Sequence, residues 1–365
     1  MTRVSFFPSR TVALYMARLF LVRSFAVLAV LVLVLQVLDL LGESDNILSV
    51  RGNGQAQILT YVGLRIPELI QRFLPFCVLL GALITLATLN QNSEVISMKA
   101  AGLSAHQVLA PLVLASLAVA IGSFAFNDRI VSRATATLDR WQAANYGKMP
   151  TGREGQSNVW VRDGDDLIHA DAVSGRGSQT KLSGVSLYDR DGGTLLQIVT
   201  GDEARTTGDG WTLTNASRFD VTRGTLAKLG TIPFANGVRP DQFTLSSVDG
   251  AGQSFLGLNR AIRDLDAAGR PTGALKAALW HKLSGPLSTI LMPLLGAVAA
   301  FGLARSGQLF VRAVIGMALG FAYFVADNFG LAMGNLGAYP PLLAAWGPFF
   351  LFLLIGEAVL IRTEE

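Results

Sequence analysis

The sequence predicts an α+β membrane protein: six transmembrane helices, with an antiparallel, jelly-roll-like β-domain inserted between helices 3 and 4. Three observations carry this. The chain of 365 residues is 51% hydrophobic and only 15% charged, with a mean hydropathy of +0.43, a balance few water-soluble domains share. Six apolar runs each approach the roughly 20 residues needed to cross a bilayer: Phe25 to Leu41, Phe73 to Leu89, Val108 to Phe126, Leu287 to Leu303, Val311 to Met333 and Leu342 to Ile361. From about Trp141 to Gly252 such runs stop, and short alternating segments replace them. The expected divisions are 1–133 for the first three helices, 134–270 for the β-domain and 271–365 for the last three helices.

The first run is read as a retained span rather than a cleaved signal, because no small-residue cleavage site follows it and Asp39 lies inside it. Arg3, Arg10, Arg18 and Arg23 precede it, Lys99 lies between the second and third runs, Arg305 and Arg312 bracket the turn between the fourth and fifth, and Arg362 follows the last. All of these fall on one side of a six-span chain, and the positive-inside tendency makes that side, with both termini, cytoplasmic. Arg51, Arg65, Arg72, Lys276 and Lys282 fall on the opposite side. These flanking cations account for the pI of 9.4 without nucleic acid.

Between the second and third runs stands NQNSEVISMKAAGLSAHQV, too polar for lipid. Asn92 or Ser93 caps a short helix over about 92–102, and Glu94 falls in its first turn, where the helix dipole favours a carboxylate. Gly102 supplies a left-handed stop, and Ser104 with Gln107 forms a capping box that opens the next helix.

In the central region, SNVWVRDGDDLIHADAV, LSGVSLYDRDGGTLLQIVTG and GDGWTLTNASRFDVTRG read as strand, turn and strand, with Asp-Gly, Gly-Gly and Gly-Asp at the corners. Val159 with Val161, and Val185 with Leu187, place apolar side chains on one face, as a sandwich or jelly roll requires. AIRDLDAAGRPTG reads as a surface helix and turn leading to the fourth span.

Chemistry of its own is not evident. No nucleotide-binding P-loop is present, so ATP hydrolysis by that route is excluded. His106, His169 and His281 have no metal spacing and read as interface or surface histidines. Cys77 is the single cysteine, so there is no internal disulfide or thiolate zinc site. Lys282 and Ser284, two residues apart on a helix, point in different directions and do not make a hydrolase pair. Asp39 and Asp327 are costly against lipid and should face a cavity or a partner, unless they sit at the hydrated interface. Gly316 and Gly320 form a small-xxx-small pair that permits close helix contact, and Pro286 and Pro293 should kink the fourth span.

Three spans, a β-domain and three further spans is a layout that resembles the LptF/LptG lipopolysaccharide-export permeases. NSEVISMKAAGLS is similar to that family's cytoplasmic coupling helix, with Glu94, Met98 and Gly102 on its pattern. RIPELIQRFLPFCVLLGALITLATL resembles the second span, and FVRAVIGMALGFAYFVADNFG with LGAYPPLLAAWGP resembles the fifth and sixth spans on the LptG side of the family.

The resemblance implies a permease subunit of an ABC transporter in the inner membrane of a Gram-negative cell, with a periplasmic β-domain. Such a subunit pairs with an LptF-like half on an LptB-like ATPase dimer, and passes lipopolysaccharide to an LptC-like bitopic β-jelly-roll protein. It binds no cofactor itself; ATP is used by the ATPase. Glu94, Val95 and Met98 would dock in the ATPase, with Leu103 adding apolar surface. Gln36, Asp39, Gly316, Gly320 and Asp327 would belong to the gate and cavity. Relatives often carry a cation near the outer end of the first span, where LVLQVLDLLGESDN has Gln36, with Asp39, Glu43 and Asp45 nearby. Either Arg51, Arg65 or Arg72 holds the lipid headgroup instead, or the native lipid A carries less phosphate. Arg65 and Arg72, seven apart, share a helix face and are the favoured pair. Two other classes stand beside this reading: a permease for another lipid or a lipoprotein, or a secondary transporter; and a scaffold whose β-domain binds partners.

Overall fold

A computed structural model of the chain describes residues 9–147, 156–175, 179–207, 210–235, 238–240, 243, 250–267, 271–301 and 309–362. Arg3, Arg305, residues 302–303 of the fourth apolar run and the Gly208-Asp209 corner lie outside the described residues. The chain divides into two units. One is helical: Met1–Asp45, Gly54–Ala136 and Gly250–Glu365. The other holds the sheet: Asn46–Asn53 and Thr137–Asp249, against the 134–270 read from sequence.

In the helical unit, α1 (Arg10–Leu48) is 39 residues long, about 58 Å at 1.5 Å per residue and so longer than the bilayer core. Between Met16 and Gln36 its buried side chains recur every fourth residue: Met16, Phe20, Ser24, Leu28, Val32 and Gln36. Leu19, Val27, Leu31 and Leu35 pack half-buried beside this stripe, and the opposite face bears exposed apolar side chains, Leu33 and Leu41 among them. A helix held by so narrow a stripe is the least anchored of the spans.

Helix α2 (Gln55–Gln91) contains Pro67 and Pro75. It is followed by α3 (Glu94–Ala100), α4 (Ala105–Phe126), a π-helical turn at Asn127–Val131 and α5 (Ser132–Ala143). After the sheet come α6 (Phe255–Ala267), α7 (Gly273–Phe301), α8 (Leu309–Asn335) and α9 (Pro341–Arg362). Segments Arg10–Leu48, Gln55–Gln91, Ala105–Ala143, Ala313–Asn335 and Pro341–Arg362 are long and apolar enough to cross a bilayer. Helix α7 carries the fourth expected run and is 29 residues long.

The bundle core joins Cys77, Leu79 and Leu86 of α2 to Leu112 of α4 and Leu291 and Leu295 of α7. Helix α6 packs with the helices rather than with the sheet. Leu258, Ile262 and Leu265 form its buried stripe, and the Asp128 carboxylate accepts a hydrogen bond from the Phe255 N–H at 2.5 Å.

The sheet is an antiparallel meander of six strands in sequence order: β1 (Gln156–Asp163), β2 (Asp166–Ser174), β3 (Lys181–Asp191), β4 (Thr194–Thr207), β5 (Gly210–Asp220) and β6 (Thr225–Phe234). The corners follow the turn chemistry. Gly192 and Gly193 take φ of 55° and 84°, the left-handed pair that a two-residue hairpin turn needs. Val159, Val161, Ile168 and Val185 lie on the buried face, Leu187 packs against them, and Trp211 and Phe243 fill the space between. The Trp211 indole N–H donates to the Val238 carbonyl at 2.7 Å. That apolar face is filled by side chains of its own unit.

Candidate functional site

The short helix α3 is tied at both ends. At its start Ser93 takes φ 60°, ψ 13°, with no side-chain cap bond. The expected cap is therefore replaced by a left-handed corner, and Glu94 alone supplies the favourable first-turn charge. Glu94 accepts long bonds of 3.4 Å from the Tyr15 hydroxyl of α1 and from Asn92. At the far end Gly102 has φ 88°; its N–H donates to Lys99 and that of Leu103 to Met98, a Schellman-like stop. The capping box is complete: the Ser104 N–H donates to Gln107 Oε1 at 3.0 Å, and the Gln107 N–H donates to Ser104 Oγ at 3.2 Å.

Val95 is 5% exposed and turned into the bundle core, with Met98 and Leu103 packed half-buried beside it. Ile96, at 61% exposure, is the apolar side chain left outside. The three side chains read as contacts for a partner thus anchor α3 to its own spans. The exposed face carries Ile96, Ser97, Lys99 and Ala100.

Within the helical unit is a cavity of about 640 Å³. Leu31, Phe73, Phe76, Met292, Phe321 and Phe324 give it apolar walls, and Glu68, Arg72, His281, Lys282, Asp327 and Asn328 give it charged and polar ones. Along α7 the lining positions Ala278, His281, Lys282, Gly285, Pro286 and Met292 fall on one helical face. Ser284 is fully buried and does not line the cavity.

Two polar clusters organise the charge. In the first, Asp39 of α1 accepts from the Tyr61 hydroxyl at 2.6 Å and from Arg65 Nη2 at 3.1 Å, while Arg65 Nη1 donates to Glu68 at 2.6 Å. Arg65 is held between two carboxylates, and the pair ties α1 to α2. In the second, His281 Nε2 lies 3.0 Å from Asp327 Oδ2 across α7 and α8. The other oxygen of Asp327 is buried and has no hydrogen-bond partner among the described residues.

Arg65 and Arg72 are thus separated in role: Arg65 is neutralised, whereas Arg72 is exposed to the cavity, with no ion pair or hydrogen bond among the described residues. Arg51 belongs to the other unit, in the Asn46–Asn53 segment. Gln36 is 7% exposed, and neither atom of its amide has a partner among the described residues. Gly316 is buried, and Gly320 lies on the cavity wall where an added Cβ would come within 2.0 Å of Leu79 Cδ2, so α8 and α2 meet there almost backbone to side chain. Sequence reasoning read His281 as an interface or surface histidine and Lys282 as a cation flanking the fourth span, and placed neither in the cavity. The signal was the one-face spacing of Ala278, His281, Lys282 and Gly285, just ahead of the apolar run.

Residues 14–362 match the family of the lipopolysaccharide export system permease LptF/LptG. The chain is 26% identical over 317 residues to the lipopolysaccharide export system permease protein LptG of Escherichia coli K12, covering 83% of this chain and 85% of that one. It is 24% identical over 316 residues to LptG of Haemophilus influenzae, covering 85% and 87%. With this match running nearly end to end over helices, inserted antiparallel sheet and helices, the chain belongs to the LptF/LptG family of lipopolysaccharide export permeases.

Proposed function

We propose that this chain is the LptG-like half of an ATP-driven exporter that draws lipopolysaccharide from the outer leaflet of the inner membrane and hands it to a periplasmic bridge. The single observation that carries the reading is the cavity: apolar aromatic walls and a charged wall meet in one space of about 640 Å³ among spanning helices, the division of chemistry an amphiphile needs. Withdrawing acyl chains from a bilayer costs about 0.8 kcal/mol per methylene. An LptB-like ATPase dimer supplies that work, and an LptF-like half completes the path.

Helix α3 is the coupling element, cytoplasmic together with both termini. Its inward side chains fix it to α1, α2 and α4, so a push on its exposed Ile96–Lys99 face moves the spans as a body. Arg72 is the headgroup cation that α2 offers. The sheet unit is periplasmic, and its edge strands β1 and β6, each with one strand neighbour among the described residues, offer backbone to the sheets of an LptC-like protein or the partner half.

The test is co-expression with the candidate ATPase and partner half, purification in mild detergent, and ATPase assay with added lipopolysaccharide. The reading predicts a stable complex whose hydrolysis rises with lipopolysaccharide. A chain that purifies without any ATPase is a scaffold or secondary transporter. A complex stimulated by another lipid and not by lipopolysaccharide exports something else.

A further inference from the structure

We infer that the outward face of the sheet carries a carbohydrate-binding platform, built on Trp160 and Tyr188, that takes an uncharged stretch of pyranose rings. Its periplasmic placement rests on the function proposed above; its capacity to bind sugar does not.

Side chains alternate between the two faces of a strand. Val159, Ile168, Val185 and Val199 turn into the core of the sheet unit. Their neighbours Trp160, His169, Ser186 and Thr200 therefore turn outward, and these four stand side by side across β1 to β4. The His169 ring centroid lies 4.5 Å from that of Trp160, and the Tyr188 ring lies 5.7 Å from it and within 21° of parallel. Cross-strand ring contacts steady a sheet, but they leave Trp160 48% exposed, an open aromatic surface that sheet stability does not require. Tyr188 continues as an apolar row through Ile198, Phe219 and Leu226 on β4 to β6.

Polar groups flank the rings. Ser186, Thr200 and Ser217 form a parallel row of hydroxyls, the last two 2.9 Å apart. Asp171 follows His169 on the same face, with its Oδ1 3.7 Å from His169 Nδ1. It falls opposite Gly184, between the Ala170–Val185 and Ala172–Ser183 pairs, where a Cβ would collide with the carboxylate. The glycine thus makes room for Asp171 beside the rings. A pyranose ring has the matching division: C–H groups that sit on the negative face of an aromatic ring, and a rim of hydroxyls that need donors and acceptors. A sheet face is too shallow to enclose an acyl chain, and a carboxylate 72% exposed repels phosphate. An uncharged saccharide fits the rings, the hydroxyls and the acid together. The sugar portion of lipopolysaccharide and a cell-wall glycan share that chemistry.

The experiment titrates the purified full-length chain, in a detergent without sugar headgroups, with dephosphorylated core sugars released from lipopolysaccharide and with the tetramer of N-acetylglucosamine. Saturation-transfer NMR reads the binding. Trp160→Ala is expected to raise Kd about tenfold, the size of one aromatic contact, and Trp160→Phe should stay within about threefold of wild type. Where Trp160→Ala fails to fold, Asp171→Asn, which leaves the rings intact, carries the test with binding about threefold weaker. Binding of either sugar sustains the inference, and the one preferred tells cargo from cell wall. Binding of neither overturns it, as does a Kd that Trp160→Ala and Asp171→Asn leave unchanged. Loss of the partner half from the Trp160→Ala complex, with no sugar bound by wild type, makes the face a protein interface and also overturns it. A complex stimulated by lipopolysaccharide whose chain binds no sugar overturns this inference alone; sugar binding without that stimulation overturns the export reading alone.

Discussion

Replacing Asp39 with asparagine removes one charge from the cluster that ties α1 to α2 and leaves its shape. Two bonds to the carboxylate are affected: Tyr61 at 2.6 Å and Arg65 at 3.1 Å. Charge-assisted bonds contribute about 1.5–3 kcal/mol and neutral ones about 0.5–1.5 kcal/mol, so the substitution should cost about 2 kcal/mol. The Asp39 and Arg65 side chains are only 22% and 24% exposed, so solvent screening removes little of it. Arg65 retains Glu68 at 2.6 Å. Arg65→Gln alone should cost a similar amount.

In the double variant the Asp39–Arg65 term is lost once rather than twice, so the effects should fall short of additivity by about 1 kcal/mol. Thermal unfolding of the four proteins in detergent reads this as a difference of about 2–4 °C between the observed and summed shifts in Tm. Additivity within about 0.5 kcal/mol, the usual spread for independent sites, would refute the tie and return Arg65 to the pool of headgroup cations.

Other consequences are as direct. Gly320→Val should lower Tm by the equivalent of about 1–3 kcal/mol, because its Cβ would sit 2.0 Å from Leu79 Cδ2 and Leu79 is fully buried; Leu79→Ala should restore part of the loss, and no rescue would sink the close-contact account. Glu94→Lys should leave the protein in the membrane but weaken ATPase association or uncouple hydrolysis from export, since it reverses the first-turn charge of α3; normal coupled export would exclude a central role for Glu94. With Cys77 replaced by alanine, a cysteine at Gly210 should react with an impermeant thiol reagent in spheroplasts and one at Ser97 should not. The opposite pattern would invert the orientation and take the coupling role of α3 with it.

Much of the architecture was legible because it depends on local patterning. Five of the six apolar runs, the Asp-Gly and Gly-Gly corners, the Gly102 stop and the Ser104–Gln107 box each involve residues close in sequence, and each stands in the structure. What the sequence hid is what tertiary neighbours decide. Arg65 and Arg72 share a helix face by spacing, yet Asp39 from another helix claims one and leaves the other to the cavity. Val95 and Met98 fit a partner groove as well as they fit the bundle; only packing shows that they turn inward. The buried Gln36 amide follows from no local rule. Lys282 and His281 sit where a polar helix end becomes apolar, so periodicity marks a face there without saying what it faces.

The claim on which everything else depends is that lipopolysaccharide enters the cavity, and site-specific photocrosslinking measures that directly. A photoreactive phenylalanine analogue at Phe324, on the cavity wall, should crosslink lipopolysaccharide in cells, and crosslinking should fall when ATP hydrolysis clears the site in the purified complex. The same analogue at Leu354, 68% exposed on α9 and absent from the cavity lining, should give little product. Equal crosslinking at both positions, or none at Phe324 with an active transporter, would show that the lipid travels by another route.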